Sequence, residues 1–226
     1  MEKKEIFNRF KIFLKNPNYA IERFNEIDQE AGQFREIFVE QPYYWLYKKI
    51  KPNTTVIDIG ANIGDTAIYF AMNNNVKEVI AIEPLPANYD HLIKLIEKSP
   101  LKNKIKCIKG AVTSKKIEKL IDSRITSTSK NFERLKFNTG EKIDSYTLNE
   151  ILFGLKNVVI KSDCEGAEKS IFNNIKLNEV YAMQIEYHNC KNLLKNILEK
   201  YGYEIKVSEN KSNIYKEIGY IYAKYR

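Results

Sequence analysis

The chain has 226 residues, 43% hydrophobic and 29% charged, a composition that suits one principal hydrophobic core and excludes general disorder. Only 9 Gly, 6 Pro and 3 Cys (Cys107, Cys164, Cys190) occur, which excludes collagen-like, low-complexity and disulfide-scaffold readings and makes a reducing, cytoplasmic setting the expectation. Lys and Arg outnumber Asp and Glu by 37 to 29, but just six are Arg, so the net charge of +8 is a weak pointer to nucleic acid, whose phosphates and bases are read by Arg forks.

In chain order, Ile6, Phe7, Phe10, Phe13 and Leu14 fall at helical spacing, as expected of a helix packed on a domain. Phe24, Ile27, Ala31 and Phe34 continue that pattern, and the aromatic cluster Phe38, Tyr43, Tyr44, Trp45 and Tyr47 follows. An N-terminal helical extension or lid is therefore expected over residues 1–50, and the main domain over 51–226. No window reaches the roughly 18 apolar residues of a membrane span, so none is expected.

From Val56 short apolar runs alternate with helical stretches. Strands are predicted at Val56–Ile59, Val79–Ile82, Ile105–Ile108, Val158–Ile160 and Tyr181–Ile185. Helices are predicted at Asp65–Met72, Tyr89–Lys98, Glu168–Ile175 and around Leu193–Lys200. Two last strands, Tyr203–Val207 and Ile218–Ala223, have no room for a helix between them and should pair antiparallel. Such alternation requires an α/β fold, a mostly parallel sheet with helices on both faces. The Ser/Thr/Lys-rich stretch from Ala111 to Leu155 does not fit the alternation, and a loop of that length is usually functional or elaborated.

The first strand runs into Asp58-Ile59-Gly60-Ala61-Asn62-Ile63-Gly64-Asp65, where glycines let the backbone turn sharply and approach a ligand closely. The second strand ends at Glu83, about 20 residues on, where an acidic side chain accepts hydrogen bonds from ribose hydroxyls. A dinucleotide site wants G-x-G-x-x-G, whereas Asn62 replaces the middle glycine and Asp58 and Asp65 flank the turn. Carboxylates there repel a pyrophosphate but suit a ligand bearing a sulfonium and an ammonium group. S-adenosylmethionine is such a ligand.

The runs Val56–Phe70 and Val79–Pro84 resemble the FkbM family of S-adenosylmethionine-dependent methyltransferases. The block Val159–Glu168 is similar to that family's K-x-D-x-E-G-x-E signature, Ile143–Leu148 to the segment that introduces it, and Glu36–Glu40 to its lead-in. The resemblance implies a class I methyltransferase (Rossmann-like) fold of seven strands, six parallel and one reversed. It implies that Asp58, Gly60, Asn62 and Gly64 line the methionine half of the cofactor and that Glu83 holds the ribose. Ser162 stands where an apolar residue is usual, and Gly110-Ala111 offers the adenine no acidic partner.

Asp163 and Glu165 are placed together at the cofactor-facing sheet edge, where one can meet the methionine ammonium and one can orient or deprotonate an acceptor hydroxyl. Oxygen ligands there would also suit Mg²⁺, but no metal is assigned. Glu168 reads equally as a helix cap or a functional group. The fifth strand ends Gln184-Ile185-Glu186-Tyr187-His188, so His188 and Glu186 compete as the base, with Asp163 the third catalytic candidate. His91 lies on a helix away from that edge. Cys164, between two carboxylates, should have a raised pKa and no nucleophilic role.

The function expected is O-methylation of a hydroxyl on a small molecule or glycan. An RNA-modifying methyltransferase docking through Lys102–Lys109 and Lys115–Lys119, and a cofactor-binding partner module without turnover, are the alternatives. Acceptor contacts are expected from Phe38–Tyr47 and Thr113–Thr139, which carry no readable code.

Overall fold

Apolar residues on consecutive positions of the central strands face opposite sides of one sheet, and both sides are covered, so these strands are buried along nearly their whole length, whereas the edge strands are only partly buried. The computed structural model describes residues 36–115, 119–121, 141–173, 175–212 and 215–226. The helices expected before residue 36, and most of Thr113–Thr139, lie outside the described residues.

A π-helical turn, Glu36–Glu40, and a single-turn helix α1, Tyr44–Tyr47, lead into strand β1, Thr54–Ile59. Helix α2 (Asp65–Ala71), β2 (Val76–Glu83), α3 (Pro86–Lys98) and β3 (Ile105–Lys109) follow. The stretch from Ala111 to Leu155 contributes β4 (Ala111–Thr113), β5 (Lys119–Ile121), β6 (Glu141–Ile143), β7 (Ser145–Thr147) and α4 (Leu148–Leu152). After it come β8 (Val158–Ser162), α5 (Glu168–Ile171), β9 (Val180–His188), α6 (Lys191–Lys200), β10 (Tyr203–Asn210) and β11 (Ile218–Tyr225).

The main sheet has seven strands in the order β10-β11-β9-β8-β1-β2-β3. All neighbouring pairs are parallel except those of β11, which runs antiparallel to β9 and β10. This is the α/β class I methyltransferase architecture expected from the sequence, six strands parallel and one reversed. The chain steps outward from β1 to β3, then returns to β8 beside β1. The topological switch point therefore lies between β1 and β8, where open α/β sheets place their ligands.

On one face Val56, Val79 and Val159 pack against α2 and α3, with Ile37, Phe38, Tyr43, Leu46 and Ile50 in the same core. The expected boundary at residue 50 thus falls within residues that share the sheet's core. On the other face Ile57, Ile80 and Ile160 pack against α4, α5 and α6. Helix α3 starts three residues earlier than expected because Pro86 occupies its first turn, where a missing N–H costs nothing. Helix α5 ends after one turn rather than at Ile175. In the Ala111–Leu155 stretch β4 pairs with β7 and β5 with β6, and Thr147 and Glu150 form a reciprocal capping box at the start of α4. No helix among the described residues is long and apolar enough to cross a membrane.

Candidate active site

At the carboxyl end of β1 the chain turns through Gly60 at φ +76°, Asn62 at +50° and Gly64 at +104°. Gly60 is obligatory by contact as well as conformation: a Cβ there would lie 1.9 Å from the Asp163 carbonyl oxygen. Gly64 meets Leu92 of α3 in the same way, at 2.7 Å. The turn is pinned from below by a buried ion pair, Lys161 Nζ standing 3.0 Å from Asp58 Oδ1. The same ammonium donates to the Gly60 carbonyl at 2.7 Å, and Thr66 donates to Asp58 Oδ2 at 2.5 Å. Burial alone would lower the Lys161 pKa, but the charges of Asp58 and Asp163 outweigh it and push it up.

Glu83, at the end of β2, is held by backbone. Its Oε2 accepts from the Asn62 N–H and its Oε1 from the Leu85 N–H, both at 2.9 Å. Burial raises its pKa to about 7 against these donors. Oε1 also accepts from Asn88 Nδ2 at 3.5 Å, so it is Oε2 that keeps capacity to accept from a ligand hydroxyl. Asn62 Oδ1 is buried with no partner among the described residues, and it belongs to the wall of a cavity of about 420 Å³.

The opposite wall comes from the ends of β8 and β9. Asp163 continues β8, its N–H bonded to the Ile59 carbonyl. Glu165 follows at φ +52°, and Glu168 folds back to tie the turn, accepting from the N–H groups of Cys164 at 2.7 Å and Gly166 at 3.0 Å. The buried Glu168 Oε1 also lies 3.3 Å from His188 Nδ1, while His188 Nε2 faces Glu165 Oε2 at 3.7 Å. Burial would lower the His188 pKa, but Glu168, then Asp163 and Glu165, raise it. Glu186 is hydrogen-bonded to Asp163, and burial together with the Asp163 charge pushes it up to about 10, so it keeps its proton at neutral pH. Cys164 has a raised pKa through burial and then Glu168, as expected of an inert thiol.

Of the residues singled out from sequence, Gly60, Asn62, Glu83, Asp163, Glu165, Glu186 and His188 line this one cavity. Asp58 and Gly64 do not: Asp58 is wholly buried beneath the turn and spends its carboxylate on Lys161 and Thr66, and Gly64 faces α3. His91 is exposed on α3. Gly110, Ala111 and Val112 add an apolar stretch of wall beside Glu83, without an acidic group. Sequence reasoning gave no role to Lys161, although a lysine inside an apolar strand was its signal, nor to Tyr215, and it had Tyr43 only as part of the Phe38–Tyr47 segment expected to meet the acceptor. Tyr43 donates to Asp163 Oδ2 at 3.3 Å and Tyr215 to Glu165 Oε2 at 2.7 Å. Neither is close in sequence to its partner, so no spacing could have paired them.

The size of the cavity is that of a cofactor or small-molecule site, and its polar groups converge from four strand ends. The unpartnered Asn62 oxygen, the close backbone at Gly60 and the Glu83 carboxylate fit a nucleoside-bearing cation. Across the cavity Asp163, Glu165 and His188 bring one donor atom each within 4.8 Å of the others, a grouping also able to hold a metal ion.

The comparisons agree with the fold. The methyltransferase FkbM domain matches residues 58–205. A methyltransferase FkbM from Methylobacillus flagellatus superposes with a TM-score of 0.54 at 16% identity, over 98% of this chain and 57% of that one. A precorrin-6y C5,15-methyltransferase from Geobacter metallireducens gives 0.50 at 15% identity, over 83% and 88%. A tRNA methyltransferase from B. subtilis gives 0.50 at 12%, over 82% and 66%. At these identities the likeness is one of fold, and this chain spans little more than half of the M. flagellatus protein. No curated protein matches the chain. With the domain matched over more than half its length, the chain belongs to the FkbM family of S-adenosylmethionine-dependent methyltransferases.

Proposed function

We propose that this chain methylates a hydroxyl oxygen of a small-molecule or glycan acceptor, with the cofactor on the β1–β2 side of the cavity and the acceptor on the β8–β9 side. The observation that carries the reading is that a single cavity joins the glycine turn and Glu83 to Asp163, Glu186 and His188. Bound there, S-adenosylmethionine supplies an electrophilic methyl group on a sulfonium centre.

The remaining work belongs to the chain. Glu83 accepts from the ribose hydroxyls, Asn62 meets the cofactor with its unpartnered oxygen, and Gly60 lets the backbone come close. Asp163 and Glu165 offer negative charge to the ammonium group. In-line transfer depends chiefly on proximity and alignment, and an alcohol must also lose its proton as the new bond forms. Glu186, protonated, donates a hydrogen bond, while His188 and Asp163 face the acceptor, His188 taking up that one proton and Asp163 orienting the hydroxyl. The carboxylates of Glu36, Asp163 and Glu165 in this wall repel a phosphodiester backbone, which favours a neutral acceptor over RNA.

Labelled S-adenosylmethionine offered with fractionated extract (lipid, glycan, RNA, small molecule) tests the acceptor class. Label entering only RNA would overturn it. With an acceptor in hand, Asp163→Ala and His188→Ala should each lower kcat about 10²–10⁴-fold. Full turnover in both would remove their assigned roles.

A further inference from the structure

Asp163, Glu165 and His188 share a feature that ion pairing alone does not require: each is held by a separate outer partner. His188, with its side chain 2% exposed, has Nδ1 against the fully buried Glu168 carboxylate, itself fixed by two backbone N–H groups. A proton on Nδ1 satisfies that contact and leaves Nε2, 3.7 Å from Glu165 Oε2, to bind an ion. Asp163 accepts from Tyr43, and Glu165 accepts from Tyr215. A carboxylate behind the imidazole and hydroxyl donors behind the carboxylates form the outer shell that metal ligands characteristically carry.

From this we infer that Asp163, Glu165 and His188 form a three-ligand site for one divalent transition-metal ion. The three residues offer one donor atom each, all within 4.8 Å of one another. All three line the cavity, so the remaining coordination positions open toward it, as in a catalytic rather than a structural site. One imidazole with two carboxylates selects Mn²⁺, Fe²⁺, Co²⁺ or Zn²⁺ over Mg²⁺ and Ca²⁺, which take oxygen ligands. Binding of the ion stands on this geometry alone. Its catalytic meaning rests on the acceptor placement proposed above: an ion held there would supply a Lewis acid for the acceptor hydroxyl, with Asp163 and Glu165 serving as its ligands in place of the ammonium contact.

The test is calorimetric titration of the chelator-treated, dialysed full chain with Mn²⁺ and with Mg²⁺, and titration with Co²⁺ followed by visible absorption. Neither cofactor nor acceptor is needed, so failure of methyl transfer would leave this result untouched, and the reverse holds. One equivalent of Mn²⁺ should bind at least about 10-fold more tightly than Mg²⁺. Glu168→Gln should weaken Mn²⁺ by about 10–100-fold through loss of imidazole orientation. Glu165→Gln, at a side chain 46% exposed, should weaken it at least as much without threatening the fold, whereas buried His188→Gln is judged only after its melting curve is shown intact. Glu209→Gln, at an exposed ion pair with Lys191, should change nothing. Absence of saturable Mn²⁺ and Co²⁺ binding at millimolar ion would overturn the site, as would undiminished binding in Glu165→Gln.

Discussion

On the β1–β2 side of the cavity the wall is mostly backbone, drawn from one contiguous turn, Gly60–Ile63, closed by N–H bonds from Asn62 and Leu85 to Glu83. On the β8–β9 side it is mostly side chain, and its members come from β8, β9, the segment before α1 and the segment before β11. A backbone wall is fixed by φ values and close approach, so it depends on very few residue identities. A side-chain wall is fixed by mutual charge and hydrogen bonding, so each member depends on the others. Lys161 joins the two, holding Asp58 and the Gly60 carbonyl while standing two residues before Asp163.

This contrast predicts unequal responses to substitution. The largest effect is expected at the link: Lys161→Met leaves Asp58 charged, buried and unpaired, and should cost about 3–5 kcal/mol in urea unfolding. Adding Asp58→Leu to it should recover most of that loss, and failure to recover would mean that Lys161 holds the turn chiefly through Gly60. Next is Gly60→Ala, where a Cβ meets the Asp163 carbonyl at a positive φ, for about 3 kcal/mol and loss of cofactor binding in calorimetry. If that variant bound cofactor normally, the backbone wall would not be the cofactor wall.

Glu83→Ala should weaken S-adenosylmethionine about 10–100-fold, the worth of hydrogen bonds to a charged group. The pH dependence sharpens this. Because Glu83 titrates at about 7, above its ordinary value of 4.5, it accepts from ribose fully only above that point. Affinity should therefore fall between pH 8 and pH 6. Its contribution to stability runs the opposite way: greatest below the unfolded value and lost as pH rises through 7. A flat affinity profile in the wild type would exclude Glu83 from the ribose contact. The smallest effect belongs to a region outside both walls, where Thr147→Ala removes the α4 cap for about 1 kcal/mol and should leave cofactor affinity unchanged.

The strand–helix alternation, the reversed last strand and the glycine turn were legible in the sequence because each is local: periodicity, a loop too short for a helix, and residues that alone permit the φ values. Gly60, Asn62, Glu83, Asp163, Glu165, Glu186 and His188 reach the cavity because strand ends in a parallel sheet converge at one edge. Asp58 misled for an instructive reason. Spacing placed it correctly on β1, but an inward-facing carboxylate opposite Lys161 on β8 is neutralised by its neighbour before any ligand arrives. Glu168 reads from sequence as a helix cap or a functional group. In the fold it ties its own turn and also reaches His188, 20 residues on, because β8 and β9 are adjacent.

Composition set the expectation of one principal hydrophobic core and fixed a surplus of lysine, and the motifs determined the sheet, the turn and the acidic edge. The tertiary structure alone decided where the charges went. It buried one lysine as the counter-ion of Asp58 and gathered carboxylates, two tyrosines and a histidine against one cavity. The physical reason is range. A backbone turn is specified by the residues within it, whereas a charge takes its meaning from whichever group the fold brings within a few ångströms.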